Sequence, residues 1–349
     1  MFADIPERRV AYVFHRGQEE RKWRKLYIAD VYHVKSTKLR TYRGIPQCGL
    51  LVRGGFRCIN HMDKNLKFPS PWSQLALFLV LIGGGMMLLV FIIGLIPGIP
   101  RDGIPKDPGT MKLEQILMSL CLFGLPAFFY ATLTFRDHPL SDFGFRPATN
   151  NMYYLLAPLL LLFAFPLEGW LGMLNQRLPL TGWMVSSENS RDQQIIDLLK
   201  IRHPYDLAVN LLVVAILPGI FEEMCFRGAL QRILINIFKS PWAGIVVTAF
   251  LFSAIHVQFA GFLPRMFLGI LLGAAFWYSR SLWTAIIAHI FFNGIQVLAA
   301  AWFPKMITEN PSVPVYSALI SLVIVVGLLA YMRRQSTVTY AQIYQPTSE

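Results

Sequence analysis

An all-α fold is expected from this sequence: a polytopic integral membrane helical bundle, about eight transmembrane helices around a polar intramembrane cavity. Three observations lead there. Of 349 residues, 54% are hydrophobic and only 15% charged, against roughly 25% charged in an ordinary soluble domain. The apolar residues gather in runs long enough to cross, as helix, a hydrocarbon core about 30 Å thick. A few ionisable side chains nevertheless stand inside those runs, and in a bilayer such groups need a partner or a cavity. The same composition excludes disorder, a collagen-like repeat and, with four cysteines in the whole chain, a secreted disulfide scaffold.

Residues 1–68 form a basic segment that carries +9 of the net charge of +12. It reads as an N-terminal cytoplasmic extension under the positive-inside rule. It contains no aromatic-basic motif of a nucleic-acid reader, so no nucleic-acid partner is expected. Nor does it resemble a signal peptide, because the first apolar run begins only near Trp72. Met62, shortly before that run, reads as an alternative start, which would make residues 1–61 an upstream extension. Cys48, Cys58 and His61 lie in this segment at a spacing that matches no standard zinc site.

Residues 69–200 are expected to hold the N-terminal membrane helices and loops, in runs from Trp72 to Leu95, Leu113 to Thr134 and Tyr153 to Leu174. Between residues 175 and 206 a polar stretch reads as a lid or connector, with a short interfacial helix from Asp192 to Leu199. Residues 201–334 hold five more runs: Leu207 to Ile220 with a continuation to Phe238, Trp242 to Val257, Leu263 to Tyr278, Leu282 to Ala301, and Val315 to Met332. Proline and glycine separate the runs: Pro97, Gly98, Pro100, Pro139, Pro204, Pro241, Pro304, Pro311 and Pro314. An even number of spans returns the polar tail 335–349 to the side of the N-terminus, and Arg333 and Arg334 beside the last run agree with a plasma (inner) membrane protein whose termini are cytoplasmic.

Chemistry concentrates in the second half. Glu222, Glu223 and Arg227 stand against an apolar run just after Pro218-Gly219, a pair that favours a kinked helix. Glu223 and Arg227 are four residues apart and share a helix face, whereas Glu222 points about 100° away. One carboxylate is therefore structural and the other available. His256 ends one apolar run, and His289 and Asn293, again four apart, project from one face of another. Together these side chains read as the walls of one polar chamber. A carboxylate beside an imidazole can hold and deprotonate water, while a second imidazole and an amide can donate to an oxyanion, a set sufficient for amide hydrolysis. Glu222, His256 and His289 would also be acceptable ligands for a divalent metal such as zinc, although the HExxH pattern is absent. A covalent route lacks support: Ser253 has no nucleophile elbow and Cys225 no activating neighbour in sequence. Glu222 meets His256 only if its helix continues toward Phe238 and carries the glutamate to mid-depth, so a long or kinked helix is expected there.

Glu222-Glu223-x-x-x-Arg227 continued by Gly228-x-Leu230, Phe252-x-x-x-His256 and His289-x-x-x-Asn293, in this order on successive apolar segments, resemble the CAAX protease and bacteriocin-processing family of intramembrane endopeptidases, which includes the type II CAAX prenyl endopeptidases. The resemblance covers about residues 205–300. It implies an eight-helix fold, a catalytic core within 201–334, and hydrolysis of peptide or protein substrates, lipidated or not, in a cavity reachable from the cytoplasm. It implies Glu222 as general base, His256 as its partner on the water, His289 and Asn293 as the oxyanion pair, and Glu223 and Arg227 as supporting residues. Metal-dependent and glutamate-dependent mechanisms both stay open. The competing readings are a non-catalytic immunity or scaffold protein that binds a peptide or lipid tail in the same cavity, and a proton-coupled transporter, which would more often show paired broken helices.

Overall fold

Runs of apolar residues become helices here because helix closes every backbone hydrogen bond within the segment, which lipid otherwise leaves unmade. The computed structural model describes residues 10–16, 21–27, 48–52, 55–58, 66–96, 107–303 and 312–344. Two units are distinguished, Met1–His61 and Met62–Glu349.

The N-terminal unit carries two antiparallel ribbons not anticipated from the charge pattern. Strand β1 (Val10–Arg16) pairs with β2 (Arg21–Tyr27), and β3 (Cys48–Val52) with β4 (Gly55–Cys58). Val10, Tyr12, Val13 and Phe14 are residues that favour a pleated strand. Cys48 and Cys58 are cross-strand partners, whereas His61 and Met62 lie outside the described residues.

The second unit is all-α. Helix α1 spans Pro71–Leu95, α2 Pro108–Thr134, α3 Pro139–Phe143, α4 Tyr153–Gln176, α5 Gly182–Leu199, α6 Asp206–Phe238, α7 Pro241–Ala254, α8 Phe262–Ser279, α9 Leu282–Trp302, α10 Val315–Gln335 and α11 Tyr340–Tyr344. Among the described residues, seven of these are long and apolar enough to cross a membrane, and α7, with 14 residues, is a shorter apolar helix. The chain is thus a multi-pass membrane protein. Its outermost helices turn apolar side chains outward, as a lipid-facing surface does: Val80, Met87 and Val90 on α1, and Ile320 and Val323 on α10.

Several boundaries differ from the hydropathy runs for local reasons. Helix α2 begins at Pro108 rather than Leu113 because Asp107 caps it, accepting from Gly109 N at 3.1 Å and Thr110 N at 2.8 Å. Helix α5 begins at Gly182, well before the expected Asp192. Helix α7 stops at Ala254, and Val257 adopts a left-handed φ of 50°, so His256 sits in the turn beyond the helix rather than within it. Pro97, Gly98, Pro100, Pro304 and Pro311 lie outside the described residues, as do residues 345–349 of the tail.

The core forms where α6 is enclosed by α2, α7 and α9, while α4 packs against α8, α9 and α10. Polar glue is sparse and specific. On α10, Ser321 Oγ donates to Phe163 O at 2.6 Å and accepts from Leu167 N at 3.3 Å, on either side of Pro166 in α4.

Candidate active site

Helix α6 is continuous from Asp206 to Phe238, as the position of Glu222 required, but it is not regular. Two wide-turn stretches, Leu211–Ile216 and Met224–Gln231, flank the normal helical turns Leu217–Glu223. Such bulges recur at functional sites because each re-aims the side chains that follow. Pro218 has no N–H to give to the carbonyl of Val214 four residues back. Asn293 of α9 donates its Nδ2–H to that carbonyl at 3.3 Å. The close approach this needs depends on Gly219, where a Cβ would stand 2.5 Å from Ile290 Cγ1 and 3.1 Å from Ile290 N.

The two glutamates part company as their angular separation predicts. Glu223 faces the protein interior, fully buried, and its Oε1 accepts from Arg227 Nη1 at 2.6 Å. Arg227, equally buried, also donates from Nη2 to Gly269 O at 3.1 Å and lies over the Phe252 ring at 4.9 Å. The same Glu223 oxygen is 2.7 Å from His289 Nδ1. An ionised carboxylate only accepts, so Nδ1 carries the hydrogen. The imidazole is thereby turned so that Nε2 stands 3.9 Å from Glu222 Oε2. Glu222, adjacent in sequence, thus reaches the imidazole from its other edge.

His256 is held differently. Its Nδ1–H donates to Phe252 O at 2.7 Å, which fixes the ring's orientation. The Phe252 ring meets both imidazoles edge-on, with centroids 5.1 Å from His256 and 6.1 Å from His289. The turn bearing His256 is pinned from outside α7. Glu188 of α5 accepts from Phe259 N and, at 3.3 Å, from Ala260 N, and Asn175 of α4 accepts from Leu263 N at 2.9 Å.

Glu222, His256, His289 and Asn293 line one cavity of about 360 Å³, within the usual range for small-ligand sites. Glu223 and Arg227 are not on its wall. The remaining lining includes residues that the sequence reading missed: Gln115 of α2, Glu168 of α4, Ile195 and Leu198 of α5, Arg265 of α8 and Gln296 of α9. Glu168 and Arg265 carried the same signal as Glu222, a charge within an apolar run, and could have been found by it. The groups set aside as nucleophiles stay set aside: Cys225 is buried, and Ser253 is buried and donates to Phe262 O at 2.7 Å.

Among the described residues no group of three or more His, Cys, Asp or Glu side chains is gathered to hold a metal ion. The Nδ1 contact of His289 with Glu223 is one that a metal-ligating histidine also makes. What the arrangement offers is a carboxylate, two oriented imidazoles and an amide around one space.

One comparison with known proteins finds a family. Residues 204–295 match the family described as type II CAAX prenyl endopeptidase Rce1-like. The matched segment, about a quarter of the chain, contains Glu222, Glu223, Arg227, His256, His289 and Asn293. It bears out the resemblance to the CAAX protease family, a family of peptide-bond hydrolases. No curated protein and no solved structure matches the chain.

Proposed function

From the match of residues 204–295 to CAAX-type endopeptidases, we propose that this protein is an intramembrane endopeptidase that cleaves membrane-associated peptide or protein substrates with a water activated by Glu222. The observation that carries the proposal is the division of labour between adjacent carboxylates. Arg227 and His289 claim Glu223, and Glu222 faces the cavity.

In this reading water sits between Glu222 and His256. Glu222 takes one proton while the lone pair on His256 Nε2 accepts the hydrogen bond of the other. The resulting hydroxide adds to the substrate carbonyl carbon. Negative charge then develops on the carbonyl oxygen, where His289 Nε2–H and the second Nδ2–H of Asn293 donate to it. That donation needs a hydrogen on each ring nitrogen of His289, with the one at Nδ1 given to Glu223. Collapse of the tetrahedral intermediate breaks the C–N bond, and Glu222 returns its proton to the leaving amine. Every group stays in place through the cycle, as electrostatic preorganisation requires.

Ile195 and Leu198 of α5 line the cavity, so a substrate made in the cytoplasm needs α5 to lie on the cytoplasmic side of the membrane. A cysteine placed at exposed Gln193 on α5 should then react with membrane-impermeant maleimide only from the cytoplasmic side. Labelling from outside would sink a cytoplasmic CAAX-type substrate.

The proposal as a whole is tested by incubating the purified protein with prenylated and unprenylated peptides, alongside Glu222→Gln, with and without a strong chelator. Cleavage should fall by about 10²–10⁴ in the variant, the usual contribution of a general base, and chelator should leave it unchanged. Full activity in folded Glu222→Gln would refute the assignment.

A further inference from the structure

The cavity wall carries two ionisable side chains that the proposed reaction does not use, Glu168 of α4 and Arg265 of α8. Glu168 stands within a membrane-spanning helix, where an ionisable group is kept for a partner or a function. Its place is fixed from two sides. Immediately before it, beside Pro166, the Ser321 hydroxyl of α10 bridges Phe163 O at 2.6 Å and Leu167 N at 3.3 Å, and a side chain inserted at such a step bends a helix. Phe165 stacks on Phe292 of α9 with ring centroids 4.6 Å apart, and Phe292 itself lines the cavity.

The two charges are held differently. Arg265 is engaged: its Nη2 donates to Gln258 Oε1 and lies against Gly261, where a Cβ would come within 3.0 Å of it, and its Nη1 is buried. Glu168 is open. Among the described residues no donor hydrogen-bonds to it and no cation stands within ion-pair distance, and Arg265 acts on it through space. Both of its oxygens keep access to the cavity. Water can serve a carboxylate placed there. A substrate that fills the cavity displaces that water and has to bring donors of its own, because a carboxylate left without them in a closed site is penalised.

We propose that Glu168 selects substrates by accepting hydrogen bonds from a basic side chain, lysine or arginine, near the scissile bond. The proposal rests on the reading of the cavity as a peptide site. An ammonium or guanidinium group meets the carboxylate in a charge-assisted bond, roughly twice as strong as a neutral one. Neutral amides of a peptide can be served by Gln115 and Gln296 on the same wall, whereas the carboxylate is the acceptor that gains from a full positive charge. An apolar side chain in its place strands Glu168, and an acidic one adds repulsion, so selection comes as much from rejection as from attraction. The field of Arg265 does not replace such a partner, because it brings no donor to the Glu168 oxygens.

The test uses the full-length chain in detergent micelles, carrying Glu222→Gln so that peptides stay intact. The probes are short fluorescent peptides of alanine and leucine with a lysine, a norleucine or a glutamate placed at each position in turn, and affinity is read by anisotropy. At one position lysine should bind about tenfold more tightly than norleucine, the worth of one charge-assisted hydrogen bond, and glutamate more weakly than either. Glu168→Gln should bring the lysine-to-norleucine ratio close to one, and Glu168→Lys should turn the preference towards glutamate. Glu168→Asp keeps the charge, should keep lysine preferred, and serves if the glutamine variant does not fold. Glu114→Gln, on α2 outside the cavity lining, should leave the ratio as it is. If Glu168 served only as a counter-charge to Arg265, Glu168→Gln would lower thermal stability and leave the ratio intact. The chain with Glu222 restored is run on the same panel for cleavage: preference in binding without cleavage would refute the endopeptidase reading and leave the role of Glu168 standing, and cleavage without preference would do the reverse. A ratio of one with Glu168 in place, a ratio unchanged by Glu168→Gln, or no peptide bound at all overturns the proposal.

Discussion

Removing the Arg227 charge separates folding from chemistry at this site. Arg227 is fully buried and makes two hydrogen bonds, to Glu223 Oε1 at 2.6 Å and to Gly269 O at 3.1 Å. In Arg227→Met the side chain keeps much of its volume, but Glu223 is left with His289 as its one remaining partner, because its Oε2 is buried without any. Breaking a buried ion pair from one side costs roughly 3–5 kcal/mol, since the surviving charge keeps its desolvation cost and loses its compensation. The unfolding free energy of Arg227→Met, measured by denaturing-detergent titration, should fall by about that amount. Adding Glu223→Gln removes the stranded charge, so the double variant should be more stable than Arg227→Met alone, with a coupling of roughly 2 kcal/mol or more. His289 loses its orienting carboxylate in the double variant, so activity should stay low even where stability returns. Strictly additive losses, or a single variant within about 1 kcal/mol of wild type, would refute the view that the Glu223–Arg227 pair holds the site together.

Three further outcomes follow from the same geometry. Asn293→Asp replaces a donor by an acceptor both at Val214 O and toward the oxyanion, so turnover should drop by about 10²–10³, read from the rate constant on the best peptide of the panel. Gly219→Ala forces a methyl group to within 2.5 Å of Ile290 Cγ1; it should cost about 1–3 kcal/mol, partly recovered by Ile290→Ala, and unchanged stability would show that α6 and α9 can separate freely. Glu188→Ala releases the Phe259 and Ala260 amides that hold the His256 turn. Its effect should appear as faster amide exchange at residues 257–261 and reduced cleavage, with the unfolding midpoint of the bundle little changed.

Much of the fold was legible because a bilayer leaves few choices. A run such as Trp72 to Leu95 has to be a helix in lipid, and the eight expected runs correspond to seven long helices and the short α7. The motif residues were legible for a related reason: a charge is too costly to keep among apolar residues without a purpose, and helical spacing alone told Glu223 from Glu222. That Glu222 required a helix extending past Ile220 could also be reasoned from distance along the axis. Helix ends were less legible. Asp107 and Val257 moved them through a cap and a left-handed turn, which hydropathy does not register.

Tertiary structure alone decided what each polar group touches. Spacing could pair Glu223 with Arg227, since both ride one helix, but it could not show that His289 from α9 takes the same oxygen. Nor could it show that Asn293 answers the carbonyl left by Pro218, or that Glu188 and Asn175 anchor the turn bearing His256. Periodicity along a chain determines which face of a helix a side chain occupies. Which other helix meets that face depends on packing between segments far apart in sequence, such as Gly219 against Ile290, and no local pattern encodes that.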